Sequence, residues 1–272
     1  MSPENDLEGC LIEHSPSDMT VTVQAGVTLA ALQEHLARNG QWLPIDPPHP
    51  KRVTIEELLS KNLSGPRRFG YGTIRDYTLG LAAVLADGRL IHSGGKVVKN
   101  VAGYDLQKLF IGGEGTLGKI VEATFKLRPL PDHEEFLQKT CASLVEAERL
   151  IENILASPAA TIVLDLRSPC TVIVGLENRG KLRDLGLTEP ATLDYDAEFR
   201  DRPDVQKISV LPSKLIETVQ SLNGRPFVAR AGNGIIYCEG PVNLEKPKLP
   251  THLFQRVKDA YDPSHIFPSL PA

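Results

Sequence analysis

The sequence predicts an α+β chain built in two parts. Strand-like and helix-like periods alternate irregularly over the first 130 residues. A proline-rich divider, Arg128-Pro-Leu-Pro-Asp, follows, and the second half then repeats one strand-helix-strand-strand order. A length of 272 residues suits two domains better than one.

In the first part, residues 20–25 (Thr-Val-Thr-Val-Gln-Ala) alternate as a strand does, and Gly26 ends the run. A helix is expected from Thr28 to Asn39, with Leu29, Leu32 and Leu36 at helical spacing, Thr28 as cap and Gly40 as the left-handed stop. Residues 44–50 hold four prolines and form an extended connection. Thr54-Ile-Glu-Glu opens a short helix in which Thr54 and Glu57 are spaced as a capping box. The stretch from Ser64 to Thr73, with three glycines and a proline, reads as irregular. Leu79 to His92 reads as a hairpin about Asp87-Gly88, and residues 119–127 as a strand.

In the second part, a strand (136–141), a helix (143–156) and two strands (159–166, 170–176) are followed by the same order over residues 207–238. That second unit has a Ser213-capped helix and a hairpin around Asn233-Gly234. Two such βαββ units predict a small α+β cap domain of ferredoxin-like type over residues 131–255, with 256–272 returning to the first domain, residues 1–130.

Composition narrows the function. Apolar residues make up 41% and charged residues 24%, so a sizeable core can form. A net charge of -4 offers no attraction for nucleic acid. The N-terminus is acidic and has no apolar stretch after a basic start, and no run is apolar enough to span a bilayer, which predicts a cytoplasmic chain whose attachment to the inner face of a membrane, if any, is through partners. Cys10, Cys141, Cys170 and Cys238 form no CxxC pair and read as buried thiols. The seven histidines lack ligand spacing, so no metal is expected. Ser64, Ser93 and Ser213 lack the G-x-S-x-G context of a nucleophile.

The densest signal is the run from Lys96 to Ile120, in which Gly112, Gly113, Gly115 and Gly118 precede an alternating strand. Without Cβ atoms such positions accept left-handed backbone, and their N–H groups can meet a flat ring or a phosphate. A helix ended by Gly112 and a tight turn is the equal alternative. Lys96, Lys99 and Lys108 either form a solvated basic face or offset the charge of a cofactor or acidic partner.

With Val23-Gln-Ala-Gly-Val-Thr-Leu, Asn62-Leu-Ser-Gly-Pro-Arg-Arg, Tyr71-Gly-Thr-Ile-Arg-Asp, Lys99-Asn-Val-Ala-Gly-Tyr-Asp-Leu, Gly113-Glu-Gly-Thr-Leu-Gly and Tyr261-Asp-Pro-Ser-His-Ile-Phe, the chain resembles the second half of an FAD-binding domain of the PCMH (vanillyl-alcohol oxidase) type. Within that superfamily it is most similar to the GlcE family of glycolate oxidase components. The resemblance is dense from about residue 11 to 130, thin through the cap, and returns at the C-terminus.

That resemblance implies FAD as cofactor, lined by Pro47, Thr54, Asn62, Ser64, Gly65, Gly113, Glu114, Gly115, Thr116, Gly118 and Ile120, with Tyr71, Arg75 and Asp76 shaping the same region or lying in a solvated loop. It implies a redox subunit acting on a 2-hydroxy acid or relaying its electrons, with a sister flavoprotein subunit and an iron–sulfur subunit as partners. It names no catalytic residue. Two departures bear on it. Family members begin with about fifty more residues that hold the FAD pyrophosphate, and Leu7 to His14 here correspond to the end of that segment. The family's Thr-Ile-Gly-Gly reads Thr54-Ile-Glu-Glu here. If either glutamate points inward, its repulsion of a pyrophosphate at 4 Å is worth about 4 kcal/mol at an effective dielectric near 20, which weakens FAD binding by this chain alone. A helix start would instead let both face solvent. The alternative function is a non-catalytic scaffold subunit with a degenerate FAD site.

Overall fold

The computed structural model describes residues 10–95, 105–177, 185–242 and 250–270. The first part holds β1 (Leu11–Ser15), β2 (Thr20–Gln24), α1 (Leu29–Ala37), β3 (Gln41–Trp42), α2 (Ile55–Ser60), α3 (Arg68–Tyr71), α4 (Ile74–Tyr77), β4 (Thr78–Val84), β5 (Leu90–Gly94), α5 (Gln107–Phe110), β6 (Lys119–Lys126) and β7 (Arg128–Pro129). The second holds β8 (Glu134–Thr140), α6 (Leu144–Leu155), β9 (Thr161–Arg167), β10 (Thr171–Glu177), β11 (Glu189–Pro190), α7 (Asp194–Arg200), β12 (Val205–Ser209), α8 (Leu215–Ser221), β13 (Phe227–Arg230) and β14 (Ile235–Glu239). Last comes α9 (Thr251–Tyr261).

The first sheet is antiparallel in the order β1-β2-β6-β4-β5. Its centre is β6, and its core joins Val21, Val23, Ala123 and Phe125 from the strands to Leu29, Leu32 and Leu36 of α1 and Ile55, Leu58 and Leu59 of α2. Thr28 caps α1, accepting from the Ala31 amide at 3.3 Å, and Gly40 takes φ +64 just after it. The β4–β5 hairpin turns at Gly88, φ +81.

The second sheet runs β11-β8-β10-β9-β13-β14-β12. Apart from β11 it is palindromic: each βαββ unit contributes three strands, and the two units meet where β9 pairs with β13. The duplicated order read from the sequence is therefore visible as a pseudo-symmetric sheet. One face packs α6 and α8 over Leu164, Val172, Val174 and Ile236. The other faces α7 and the first part.

Three local expectations need correction. Ser64 to Thr73 is not irregular throughout: α3 forms inside it, and Thr73 and Asp76 close a full capping box on α4. Thr54 accepts from the Glu57 amide at 3.1 Å, but the Glu57 carboxylate pairs with Lys61 at 2.7 Å instead of turning back to complete the box. Ser213 does not cap α8, because Pro212 starts a 3-10 turn over Pro212–Lys214 and the cap position falls on Lys214.

The helix that the sequence concealed is the joint between the two sheets. A Cβ on Gly70 of α3 would lie 2.6 Å from the Ile162 Cα of β9, and one on Gly232 would lie 2.1 Å from the Phe69 ring. Backbone and ring meet there only because both positions are glycine. Beside them Arg67 binds Asp46 of the proline-rich connection and, through two nitrogens at 3.0 and 2.5 Å, Glu134 of β8. Burial pushes the Asp46 carboxyl up to about 6 against the pull of Arg67.

Candidate cofactor site

Helix α2 organises the region, because its two ends serve different surroundings. At its start, Thr54 and Glu56 line a cleft of about 620 Å³ with Gly26, His92, Lys119 and Ile120. Thr54 and Ile120 are thus brought together, and one of the two glutamates joins them. A Cβ built on Gly26 meets nothing within 4 Å, so the main chain is open to the cleft there. Ile12 and Leu90 line it as well, at 49% and 54% exposure.

At the other end, about 9 Å away at 1.5 Å per residue, the glycine-rich turn folds against the last residues of α2. The Gly112 amide donates to the Leu59 carbonyl at 2.9 Å, and the Glu114 amide to the Ser60 carbonyl at 2.8 Å. The amides of Gly113 and Thr116 donate to Phe110 and Gly113 carbonyls at 3.1 and 2.9 Å. Of the glycine N–H groups expected to open toward a ligand, those of Gly112 and Gly113 are therefore spent within the fold. Gly112 and Gly115 are left-handed, φ +80 and +71, as is Glu114 at φ 50. Gly118 is held by close packing, since a Cβ there would lie 2.9 Å from the Val84 carbonyl.

Asn62 sits between α2 and this turn, itself left-handed at φ 47, and its side-chain carbonyl oxygen is buried with no donor. Arg75 reaches the Ile111 carbonyl at 2.5 Å and so fixes the turn, while Asp76 is occupied in capping α4. Tyr71 lies instead against Trp42, Ile162 and Val163 between the sheets. Pro47 is buried in its connection, and Gly65 has a packing reason of its own: a Cβ there would stand 1.8 Å from the Asp46 carbonyl oxygen. Lys108 pairs with Asp105 at 2.7 Å, and Lys96 and Lys99 lie outside the described residues, as does the whole of the Lys96–Tyr104 run.

The sequence reading missed the cationic side of this region. Two arginines converge on buried Ser64: Arg200 of α7 donates to its carbonyl at 3.1 Å and Arg68 of α3 to its hydroxyl at 3.4 Å. Arg200 also lies over the Tyr237 ring at 4.7 Å, and Tyr237 is the cross-strand partner of Lys207 on β12. Lys207 is an exposed residue, yet desolvation of its ammonium and then the charges of Arg68 and Arg200 lower its pKa, with Glu114 of the turn pulling the other way. No motif announces this group, which comes from three separate elements.

Behind it, Arg230 is fully buried and paired with both Asp165 and Asp196, and Tyr195 donates to Asp165 at 2.5 Å. Burial pushes the Asp165 carboxyl up to about 6 against the pull of Arg230. Among the described residues no group of three or more histidine, cysteine, aspartate or glutamate side chains is placed to hold a metal ion. All four cysteines are free; Cys141 and Cys238 are buried, while Cys10 and Cys170 are only half-buried. No described helix is long and apolar enough to cross a membrane.

The residues fit a flavin at the end where the sheets meet. There an orphaned amide carbonyl on Asn62 requires a donor such as a ring imide N–H, and nearby cations balance negative charge. At the cleft end Glu56 and Glu122 stand opposite Lys119 and His92, a mixed lining less suited to phosphates.

Comparison with known proteins bears on the cofactor of this arrangement. Residues 4–94 match the family model described as an FAD binding domain. It is 34% identical over 209 residues to the glycolate oxidase subunit GlcD of Bacillus subtilis (strain 168), which covers 75% of this chain and 44% of that protein. It is 36% identical over 122 residues to glycolate oxidase subunit GlcE of Escherichia coli (strain K12), covering 44% of this chain and 35% of that one. The chain thus spans less than half the length of these curated relatives. Among solved structures, alkyldihydroxyacetonephosphate synthase superposes with a TM-score of 0.64 at 18% identity, covering 94% of this chain and 64% of that one. That likeness concerns the fold.

Proposed function

We propose that this chain is a GlcE-like component of an FAD-dependent oxidoreductase of the glycolate oxidase kind, which oxidises a 2-hydroxy acid or relays its electrons. Residues 1–130 would supply part of the FAD domain, 131–255 the cap and 256–272 the return segment. The observation that carries the reading is the convergence of Arg68, Arg200 and Lys207 beside the glycine-rich turn, a cationic cluster suited to an acid's carboxylate.

FAD, when bound, supplies a two-electron acceptor. The chain's own residues would do the rest. The Asn62 carbonyl would orient the ring, Arg68 and Arg200 would anchor the carboxylate, and the cap face built on β9 and β13, together with α3 of the first part, would keep water out. Lys207, whose proton is more readily lost than that of an ordinary lysine, has the property required of a base for the hydroxyl proton. Electrons would leave through a sister flavoprotein and an iron–sulfur protein of the same complex, and any membrane contact would be through those partners.

Glu56 in the cleft and the spent amides of the turn favour a second reading, a scaffold component whose FAD site is degenerate. Gel filtration of the chain after incubation with FAD separates the two. Co-eluting flavin absorbance that bleaches on adding a 2-hydroxy acid supports the redox role. A colourless protein, alone and with its partner subunits, refutes it.

A further inference from the structure

The geometry points to Lys258 as the positioning residue of the cofactor site: its ammonium, carried by the C-terminal helix, ties down the glycine-rich turn so that α9 and the tail act as a strap across it. This rests on the reading of the turn as part of the flavin site.

Lys258 is the one fully buried lysine among the described residues, at 3% exposure. A buried ammonium is costly unless every proton is used, and here all three are. It donates to the Thr116 carbonyl at 2.7 Å, to the Phe267 carbonyl at 3.2 Å and to the Asp262 carboxylate. Asp262, fully buried, accepts in turn from the amides of Ile266 and Phe267, both at 2.9 Å, which wraps the tail back over the lysine. One helical turn further, Tyr261 stands edge-on to Phe110 with ring centres 5.7 Å apart.

These contacts bracket the turn. Phe110 precedes it and Thr116 ends it, and Thr116 is itself locked by its hydroxyl, 2.6 Å from the Gly113 carbonyl. Between them lie three left-handed residues, Gly112, Glu114 and Gly115, a conformation that persists only where the surroundings enforce it. Helix α2 enforces it from one side, through Leu59 and Ser60. Lys258 enforces it from the other, over a sequence separation of 142 residues. A surface anchor for α9 would need no buried charge. What a lysine adds over an apolar residue is a directional bond to one carbonyl of the turn.

The test uses the full chain with Lys258→Met, and Lys258→Gln as a milder variant that keeps a neutral donor. Hydrogen exchange of the Gly112, Gly113, Glu114 and Thr116 amides is measured without cofactor, and FAD affinity by flavin fluorescence titration. Lys258→Met should speed exchange of these four amides at least tenfold while the β2, β4 and β6 amides keep their protection, and should weaken FAD about tenfold; Lys258→Gln should fall between. Unchanged turn exchange in both variants overturns the proposal, and so does a uniform loss of protection across the sheet, which marks a merely structural lysine. If the unmodified chain takes up no FAD, the flavin reading fails separately, and the exchange experiment still decides whether Lys258 fixes the turn.

Discussion

Replacing Glu56 by glutamine isolates one charge in the cleft. Glu56 lines it with Thr54, Gly26 and Ile120, whereas Glu57 is neutralised by Lys61 at 2.7 Å, so only the first would confront a bound pyrophosphate. At about 4 Å, one unit-charge repulsion is worth about 1 kcal/mol if the cleft behaves as water and about 4 kcal/mol at an effective dielectric near 20. Glu56 is half-buried and the cleft faces solvent, so the gain on neutralisation lies between these limits, roughly fivefold to a thousandfold in FAD affinity. The assay is flavin fluorescence quenching with FAD and with riboflavin, which carries no phosphate, at low and high salt. Tighter FAD binding that shrinks with salt, with riboflavin unchanged, is the expected result. An equal change for both ligands, or none for FAD, would refute the placement of the pyrophosphate beside α2.

Arg67→Met removes the cation shared by Asp46 and Glu134 between the sheets and leaves both acids half-buried or deeper; urea unfolding should show a loss of about 3 kcal/mol. Gly65→Ala drives a methyl group into the Asp46 carbonyl, and the same assay should show a loss of about 1–3 kcal/mol even if Gly65 touches no cofactor. Asp165 titrates near 6 in the fold against 3.8 for a free aspartate; because its folded value is raised, its contribution to stability is present below the lower value and is lost as pH rises through about 6. Melting temperatures of Asp165→Asn should therefore vary less than those of the parent across that window. His35 is held below its ordinary 6.5 by burial and then by His14, 3.1 Å away, and Arg38. Its sign is the opposite: stability is full above 6.5 and falls as pH drops below it, and His35→Gln should flatten that acid limb.

What the sequence made legible was local. Thr28 and Gly40 bound α1 because a cap oxygen and a left-handed glycine act within one turn of chain, and the β4–β5 hairpin follows from Asp87-Gly88 for the same reason. The duplicated βαββ order was readable because each unit carries its own period, although the meeting of β9 with β13 was not. Where local signals competed, the reading failed. The glycines of the Ser64–Thr73 stretch suggested irregular chain, but Gly70 and Gly72 are glycine for clearance against Ile162 and for a left-handed stop, and α3 runs through the first and ends at the second. The Thr73-x-x-Asp76 spacing was a true cap signal within the same stretch.

The site was legible only in outline because its chemistry is assembled from pairs distant in sequence. Arg67 meets Glu134 across 67 residues, Arg200 meets Ser64 across 136 and Lys258 meets Thr116 across 142. None of these partners stands in a spaced motif, since tertiary contact places no constraint on residue count. One signal was nevertheless available. Arg230 interrupts an apolar strand, Phe227-Val-Ala-Arg, and a charge there is tolerated only if opposite charges wait on the same face. Asp165 answers directly, as the cross-strand neighbour of Arg230 on β9, and Asp196 of α7 completes the pairing. A lone cation in a buried strand thus locates the face of the sheet that carries its counter-charges, and here that is the face turned toward α3 and the candidate flavin site, where Arg200 shares Asp196 with Arg230.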